Sequence, residues 1–172
     1  TATTGIYAAH YTLALHDELP ISLFTPAVVG NTLVLAGGEG AIARVDAATG
    51  QELWRIQAGM PLTAGVGTDG SVIVVGGAKG TVLAYDMNGK ELWKAQASSE
   101  VLSSPAVGKD VVVVRSVDNR IIGLDAKTGQ QKWTVQRPSP PLSLRLAPGM
   151  VVDGDDVIVA QPGGKLLRMM LS

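Results

Sequence analysis

The stretch Val45-Asp46-Ala47-Ala48-Thr49-Gly50-Gln51-Glu52-Leu53-Trp54 returns twice further along the chain. Its second copy is Tyr85-Asp86-Met87-Asn88-Gly89-Lys90-Glu91-Leu92-Trp93, and its third is Leu124-Asp125-Ala126-Lys127-Thr128-Gly129-Gln130-Gln131-Lys132-Trp133. Successive tryptophans lie 39 and then 40 residues apart, successive aspartates 40 and then 39. A fixed period of about 40 residues marks a solenoid, an array or a propeller.

Each copy reads as a β-hairpin. An apolar strand runs into Asp, a short loop containing Gly reverses the chain, and a second strand carries Trp. The aspartate side chain can accept bonds from backbone N–H groups two residues on and so brace the turn. Gly50, Gly89 and Gly129 fall where positive φ is needed, and the shorter middle loop uses Asn88-Gly89, a pair favoured in tight hairpins. Asp46, Asp86 and Asp125 are therefore expected to be turn braces. Trp54, Trp93 and Trp133 are expected to be wedges between neighbouring repeats, a structural rather than a chemical role.

Working outward, residues 25–172 fill in around these hairpins. Pro26 to Val29, Leu33 to Ala36, Ile42 to Val45 and Glu52 to Ile56 read as four short strands separated by turns. The same order recurs from Ala64 to Ala95 and from Pro105 to Val135, and a fourth copy starting at Pro148 stops before any Asp or Trp. Four short antiparallel strands per repeat describe a propeller blade. The middle strands are apolar throughout, as when neighbouring blades cover both faces, and no 3.6-residue period supports a helical alternative. The expected fold is an all-β partial propeller, three blades plus part of a fourth, at about 25–57, 62–96, 103–136 and 147–172. Residues 1–24 match no repeat and read as a terminal arm or as sequence foreign to the natural protein. The start at Thr1, with neither initiator Met nor signal peptide, and the short last copy read as a fragment. An open arc leaves a blade face and a strand edge uncovered, so the isolated chain is expected to be marginally stable or self-associating.

Composition narrows the function classes. Hydrophobic residues make up 46% and charged residues 17%, which is incompatible with disorder, and 21 glycines suit many short strands joined by tight turns. With 14 basic against 15 acidic residues there is no basic stripe to neutralise phosphates, so no nucleic-acid partner is expected. No apolar run approaches the length of a membrane span. The absence of cysteine excludes thiolate metal sites and a Cys nucleophile.

Motifs that suggest chemistry dissolve on aligning the copies. Gly76-Gly77-Ala78-Lys79-Gly80-Thr81 has the wrong spacing for a phosphate loop and occupies the same hairpin as Gly37 to Gly40. Asp153-Gly154-Asp155-Asp156 matches simple turns in the other copies and lacks the further ligands of a calcium loop. Both histidines, His10 and His16, lie in the arm, and His16-Asp17-Glu18 has no second cluster to complete a metal site. No catalytic, cofactor-binding or metal-binding residue is expected.

One segment exceeds the repeat. The step from Trp133 to Pro148 is 15 residues, against 12 from Trp93 to Pro105 and 10 from Trp54 to Ala64. It contains Pro138, Pro140 and Pro141, then Leu142, Leu144 and Arg145. Alternating apolar residues beside an Arg suit a partner anchor. The other reading tucks both leucines under the adjacent blade.

The Leu-Asp-Ala-x-Thr-Gly-x-x-x-Trp pattern resembles the quinoprotein (PQQ-like) propeller repeat. Within that superfamily, Trp133-Thr134-Val135 followed by Pro141-Leu142-Ser143-Leu144-Arg145 resembles the BamB family of outer-membrane assembly lipoproteins. The resemblance implies an eight-bladed ring with no enzyme activity and no cofactor. It also implies a scaffold role in the BAM complex at the periplasmic face of the outer membrane, with membrane association only through a lipid anchor that this chain does not carry. The implied partner is BamA, contacted through its POTRA domains, with Leu142, Leu144 and Arg145 on the contact surface. The alternatives are a fragment of a PQQ-dependent dehydrogenase, or another binding or sensor propeller.

Overall fold

A computed structural model describes residues 24–136, 149–161 and 164–171. Their regular structure is all strand. The first sheet comprises β1 (Ala27–Val29), β2 (Thr32–Ala36), β3 (Ala41–Asp46) and β4 (Glu52–Gln57). The second comprises β5 (Gly67–Thr68), β6 (Val72–Gly76), β7 (Thr81–Asp86) and β8 (Glu91–Gln96). The third comprises β9 (Ala106–Val107), β10 (Val111–Arg115), β11 (Arg120–Asp125) and β12 (Gln131–Gln136). β13 (Met150–Asp153), β14 (Asp156–Gln161) and β15 (Lys165–Met170) form a fourth, three-stranded sheet. In every sheet the strands pair antiparallel in chain order, so each is a meander, and the innermost strands β1, β5, β9 and β13 stand side by side. Meanders stacked in this way are the blades of a propeller.

Stacking explains the burial. β6 and β10 are buried along their whole length because blades cover both of their faces. β2 and β14, in the first and last sheets, are buried only in part. Three apolar clusters follow, one per junction. Val34, Ile42, Ile73 and Val75 join blades 1 and 2; Val74, Val82, Val112 and Ile122 join blades 2 and 3; Val113, Ile121, Val157 and Val159 join blades 3 and 4. Phe24, which the repeat pattern leaves in the arm, packs against the first of these.

The third and fourth strands of each complete blade carry a bulge at the same place, between Arg44 and Val45, Ala84 and Tyr85, and Gly123 and Leu124. The bulge skips the residue before each Trp. Leu53 and Leu92 are accordingly 51% and 47% exposed.

Register corrects two sequence expectations. Met170 pairs with Asp156 as Asp46 does with Thr32, Asp86 with Val72 and Asp125 with Val111. The fourth copy therefore reaches the Asp position and carries Met there, rather than stopping short of it. Connection lengths also change. Gly67, Ala106 and Val151 hold the same rung of their blades, so 13 residues separate Trp54 from Gly67 and Trp93 from Ala106, while 18 separate Trp133 from Val151. The first two connections are equal, and the whole excess falls on the third.

Candidate functional site

The repeated residues form one device per junction. Asp46 Oδ1 accepts bonds from the backbone N–H groups of Ala48 and Thr49 and from the Thr49 hydroxyl, at 2.8–3.0 Å. Asp125 does the same with Lys127 and Thr128, and Asp86 accepts from Asn88 and Lys90. The Thr49 backbone N–H holds the Asp46 carboxyl below its ordinary range, and the Thr128 hydroxyl does so for Asp125. In blades 2, 3 and 4 the residue after the Asp position (held by Met170 in blade 4) offers its carbonyl to the tryptophan of the preceding blade. Trp54 Nε1 donates to Met87 O at 3.0 Å, Trp93 Nε1 to Ala126 O at 2.9 Å and Trp133 Nε1 to Leu171 O at 3.1 Å. Trp93 lies flat on the next turn, where a Cβ at Gly129 would sit 2.5 Å from the ring. Gly129 also has φ +71°, so two separate constraints hold that position to glycine. At the first junction Arg44 adds a bond from Nη1 to the same Met87 carbonyl.

The innermost strands border an axial cleft of about 670 Å³. Thr25, Gly65, Thr68, Ser103 and Ser104 supply its polar lining, and Val28, Leu102 and Val151 part of its apolar lining. No carboxylate or side-chain amide is among these residues. The described part of the cleft thus does not fit a calcium-held quinone cofactor, which needs such groups.

A different polar cluster stands where β12 ends and the long third connection departs. Ser116 and Ser98 hydroxyls donate to Asp118 Oδ1 at 2.5 and 3.0 Å, and the Asp118 N–H donates to Ser99 Oγ. Burial pushes the Asp118 carboxyl up, but the bonds from Ser116, Ser98 and Ser99 outweigh it and hold the group below its ordinary range. Arg120 pairs with Asp118 Oδ2 at 3.4 Å and donates from Nε to Gln136 Oε1, while Gln136 Nε2 donates to Asp118 O. Gln136, the last described residue before the connection, is thereby fixed to the β10–β11 hairpin. Beside it Arg115 is only 7% exposed, donating from Nη1 to Ala160 O of blade 4 at 2.7 Å and from Nη2 to Asn119 Oδ1 at 2.8 Å. Burial lowers its pKa, and no carboxylate faces it among the described residues. Asn119 has φ +64°, where blades 1 and 2 have Gly40 and Gly80.

Leu142, Leu144 and Arg145 lie outside the described residues, as does the cluster around His16. Arg115, Asn119 and Arg44 were missed in sequence. Arg115 closes the run Val111 to Val114 like any charged strand end, and only the stacked register exposes its burial. Asn119 did carry a signal, since it stands where the other hairpins have glycine.

A family model described as outer membrane protein assembly factor BamB matches residues 38–171. The protein of that name from Burkholderia pseudomallei (strain K96243) is 43% identical over 149 residues, which is 86% of this chain and 39% of that protein. Its namesake from Bordetella pertussis (strain Tohama I) is 42% identical over 146 residues, 85% of this chain and 38% of that one. The chain therefore spans about 39% of the length of the curated relatives it matches. The crystal structure of BamB from Moraxella catarrhalis superposes with a TM-score of 0.80 at 24% identity, covering 86% of this chain and 45% of that one. At that identity the likeness speaks for the fold.

Proposed function

The chain belongs to the family of outer membrane protein assembly factor BamB, and on that premise we propose that it is part of a non-enzymatic scaffold of the β-barrel assembly machinery. The observation that carries this reading is the identity of 43% across 86% of the chain to a protein of that name. The place of action is the periplasmic face of the outer membrane. The partner is BamA, engaged through its POTRA domains.

The contact is made by the third connection, through Leu142, Leu144 and Arg145. Two features support this assignment. The third connection alone exceeds the common length, by five residues, and surplus chain that blade stacking does not need is free to serve another purpose. Its residue types are those that dominate interfaces, namely apolar anchors beside a planar, multidentate cation. Rigid blades suit such a loop, because anchoring both ends in strands lowers the ordering cost of docking. The dehydrogenase alternative draws no support from the side chains lining the axial cleft.

A photo-reactive residue placed at position 142 or 144 in the intact protein, in living cells, tests the reading. It should cross-link to BamA, and the same probe at the exposed Leu53 should not. Cross-links from Leu53 alone would move the contact to the outer rim.

A further inference from the structure

The β7–β8 loop of blade 2 departs from its two counterparts in chemistry as well as in length. Where the loops of blades 1 and 3 place Thr49 and Thr128 before glycine, this one places Asn88 before Gly89. Thr49 and Thr128 each turn a hydroxyl onto the bracing aspartate. The Asn88 side chain is exposed and makes no hydrogen bond among the described residues, and only its backbone N–H is bound, to Asp86 Oδ1 at 2.8 Å. The other two asparagines of the chain are held. Asn31 directs its amide nitrogen at Asp46 Oδ2 and precedes the β-branched Thr32. Asn119 is only 4% exposed, accepts from Arg115 and precedes Arg120.

An exposed asparagine followed by glycine has a reaction open to it that needs no enzyme. The Gly89 nitrogen, once deprotonated, attacks Asn88 Cγ; a C–N bond forms, ammonia leaves and a cyclic succinimide remains. Water then opens the ring at either carbonyl and yields aspartate or isoaspartate, so that water is consumed and ammonia released. Glycine favours the step, because no Cβ crowds the approach and its backbone reorients freely. The restraint on it is the bond from the Gly89 N–H to Asp86 O, which is 3.1 Å long, against 2.9 Å at Gly50 and 2.8 Å at Gly129 in the other two loops.

We propose that Asn88 is a site of spontaneous deamidation and that its isoaspartate product loosens the junction between blades 1 and 2. The neighbouring carbonyl is the one on which that junction converges: Met87 O accepts from Trp54 Nε1 at 3.0 Å and from Arg44 Nη1 at 2.9 Å. The Trp54 ring also lies on this loop, where a Cβ at Gly89 would sit 3.3 Å from it. Isoaspartate routes the main chain through Cβ, which lengthens the loop by one carbon directly after Met87 and leaves a new carboxylate beside Asp86. Both donors of blade 1 then lose the position of their shared acceptor. At the other two junctions the acceptor carbonyls, Ala126 and Leu171, are followed by Lys127 and Ser172, so this chemistry does not reach them. The proposal stands apart from the identity of the partner.

The test is to age the intact protein in warm, mildly alkaline buffer and follow it by peptide mapping, reading the mass gain of amide-to-acid conversion and labelling isoaspartate with its methyltransferase. Conversion at Asn88 should run several-fold faster than at Asn31 or Asn119, and should speed up as pH rises, because the attacking nitrogen must lose its proton. In the converted fraction, hydrogen exchange should quicken in β3–β4 and β7–β8 and stay unchanged in β10–β11, with a fall in unfolding temperature. Asn88→Thr, which gives the loop the residue of blades 1 and 3, should abolish both changes after the same treatment. Should that variant fail to fold, enzymatic repair of isoaspartate in the aged parent decides, and it should restore the original exchange pattern. Conversion at Asn88 no faster than at Asn31 and Asn119 would overturn the proposal. So would conversion that leaves exchange in β3–β4 and β7–β8 unchanged, or loosening that appears equally in aged Asn88→Thr or survives repair.

Discussion

At the residue scale, the unit that stacks the blades is a tryptophan bonded to a carbonyl of the next turn. Its ring and its N–H contribute separately, so substitutions can divide them. Trp93→Phe keeps an aromatic wedge but leaves the Ala126 carbonyl without its donor, at a cost of about 1–3 kcal/mol. Trp93→Ala also empties a buried site and should cost about 3–5 kcal/mol. Urea unfolding of the intact protein should return that order; equal losses would show that the aromatic wedge contributes nothing, and a Trp93→Phe variant as stable as the parent would show that the hydrogen bond contributes nothing. Proton linkage gives a second check. Asp46, Asp118 and Asp125 have folded pKa values below the ordinary 3.8, so their contribution is complete above that value and drains as pH falls through the lower folded values. Replacing all three with Asn should therefore flatten the stability profile below about pH 4, and an unchanged acid limb would contradict the assigned bonds. These aspartates, glycines and tryptophans were legible in sequence because turns draw on few residue types and the period exposes them. Arg115 was not legible, since its burial depends on a blade whose contacting residue, Ala160, comes 45 residues later in the chain.

At the element scale, the strands were readable as apolar runs punctuated by Gly and Asp, and the structure places them within a residue or so of those runs. The connections were harder. Pro105 and Pro148 look like one landmark, which made the three connections seem graded in length, whereas the register puts Ala106 in step with Val151 and makes the first two equal. Proline marks where a strand can start, but hydrogen-bonded rungs decide equivalence. The second connection offers a clean test of the slot over the hairpin. Gly76→Ala should destabilise, because its Cβ would lie 2.6 Å from Val101. Val101→Ala alone should cost about 2 kcal/mol for an emptied site. The pair together should be less damaging than the sum of the two, since one change vacates the space the other needs. Strict additivity in a double-mutant cycle would mean that the two side chains do not share the slot.

At the scale of the whole molecule, stability comes from neighbours, each blade burying its faces against the next. Among the described residues β15 pairs on one side only, and Leu166 and Met170 on it are largely exposed. The 172-residue chain expressed alone should therefore self-associate in sedimentation velocity, whereas a monodisperse monomer that unfolds cooperatively would contradict this. The same modularity explains why function was less legible than fold. The first three blades repeat the stacking residues, so the period reports architecture, whereas the proposed contact falls in the one connection that departs from the common length. That connection carries the central claim. The direct measurement is the dissociation constant of the intact protein for the POTRA region of BamA, with and without Leu142→Ala, Leu144→Ala and Arg145→Ala combined. A loss on the order of a hundredfold, with unfolding unchanged, is the predicted result. An unchanged constant in a folded variant would contradict the account and leave the leucines as packing residues of the adjacent blade.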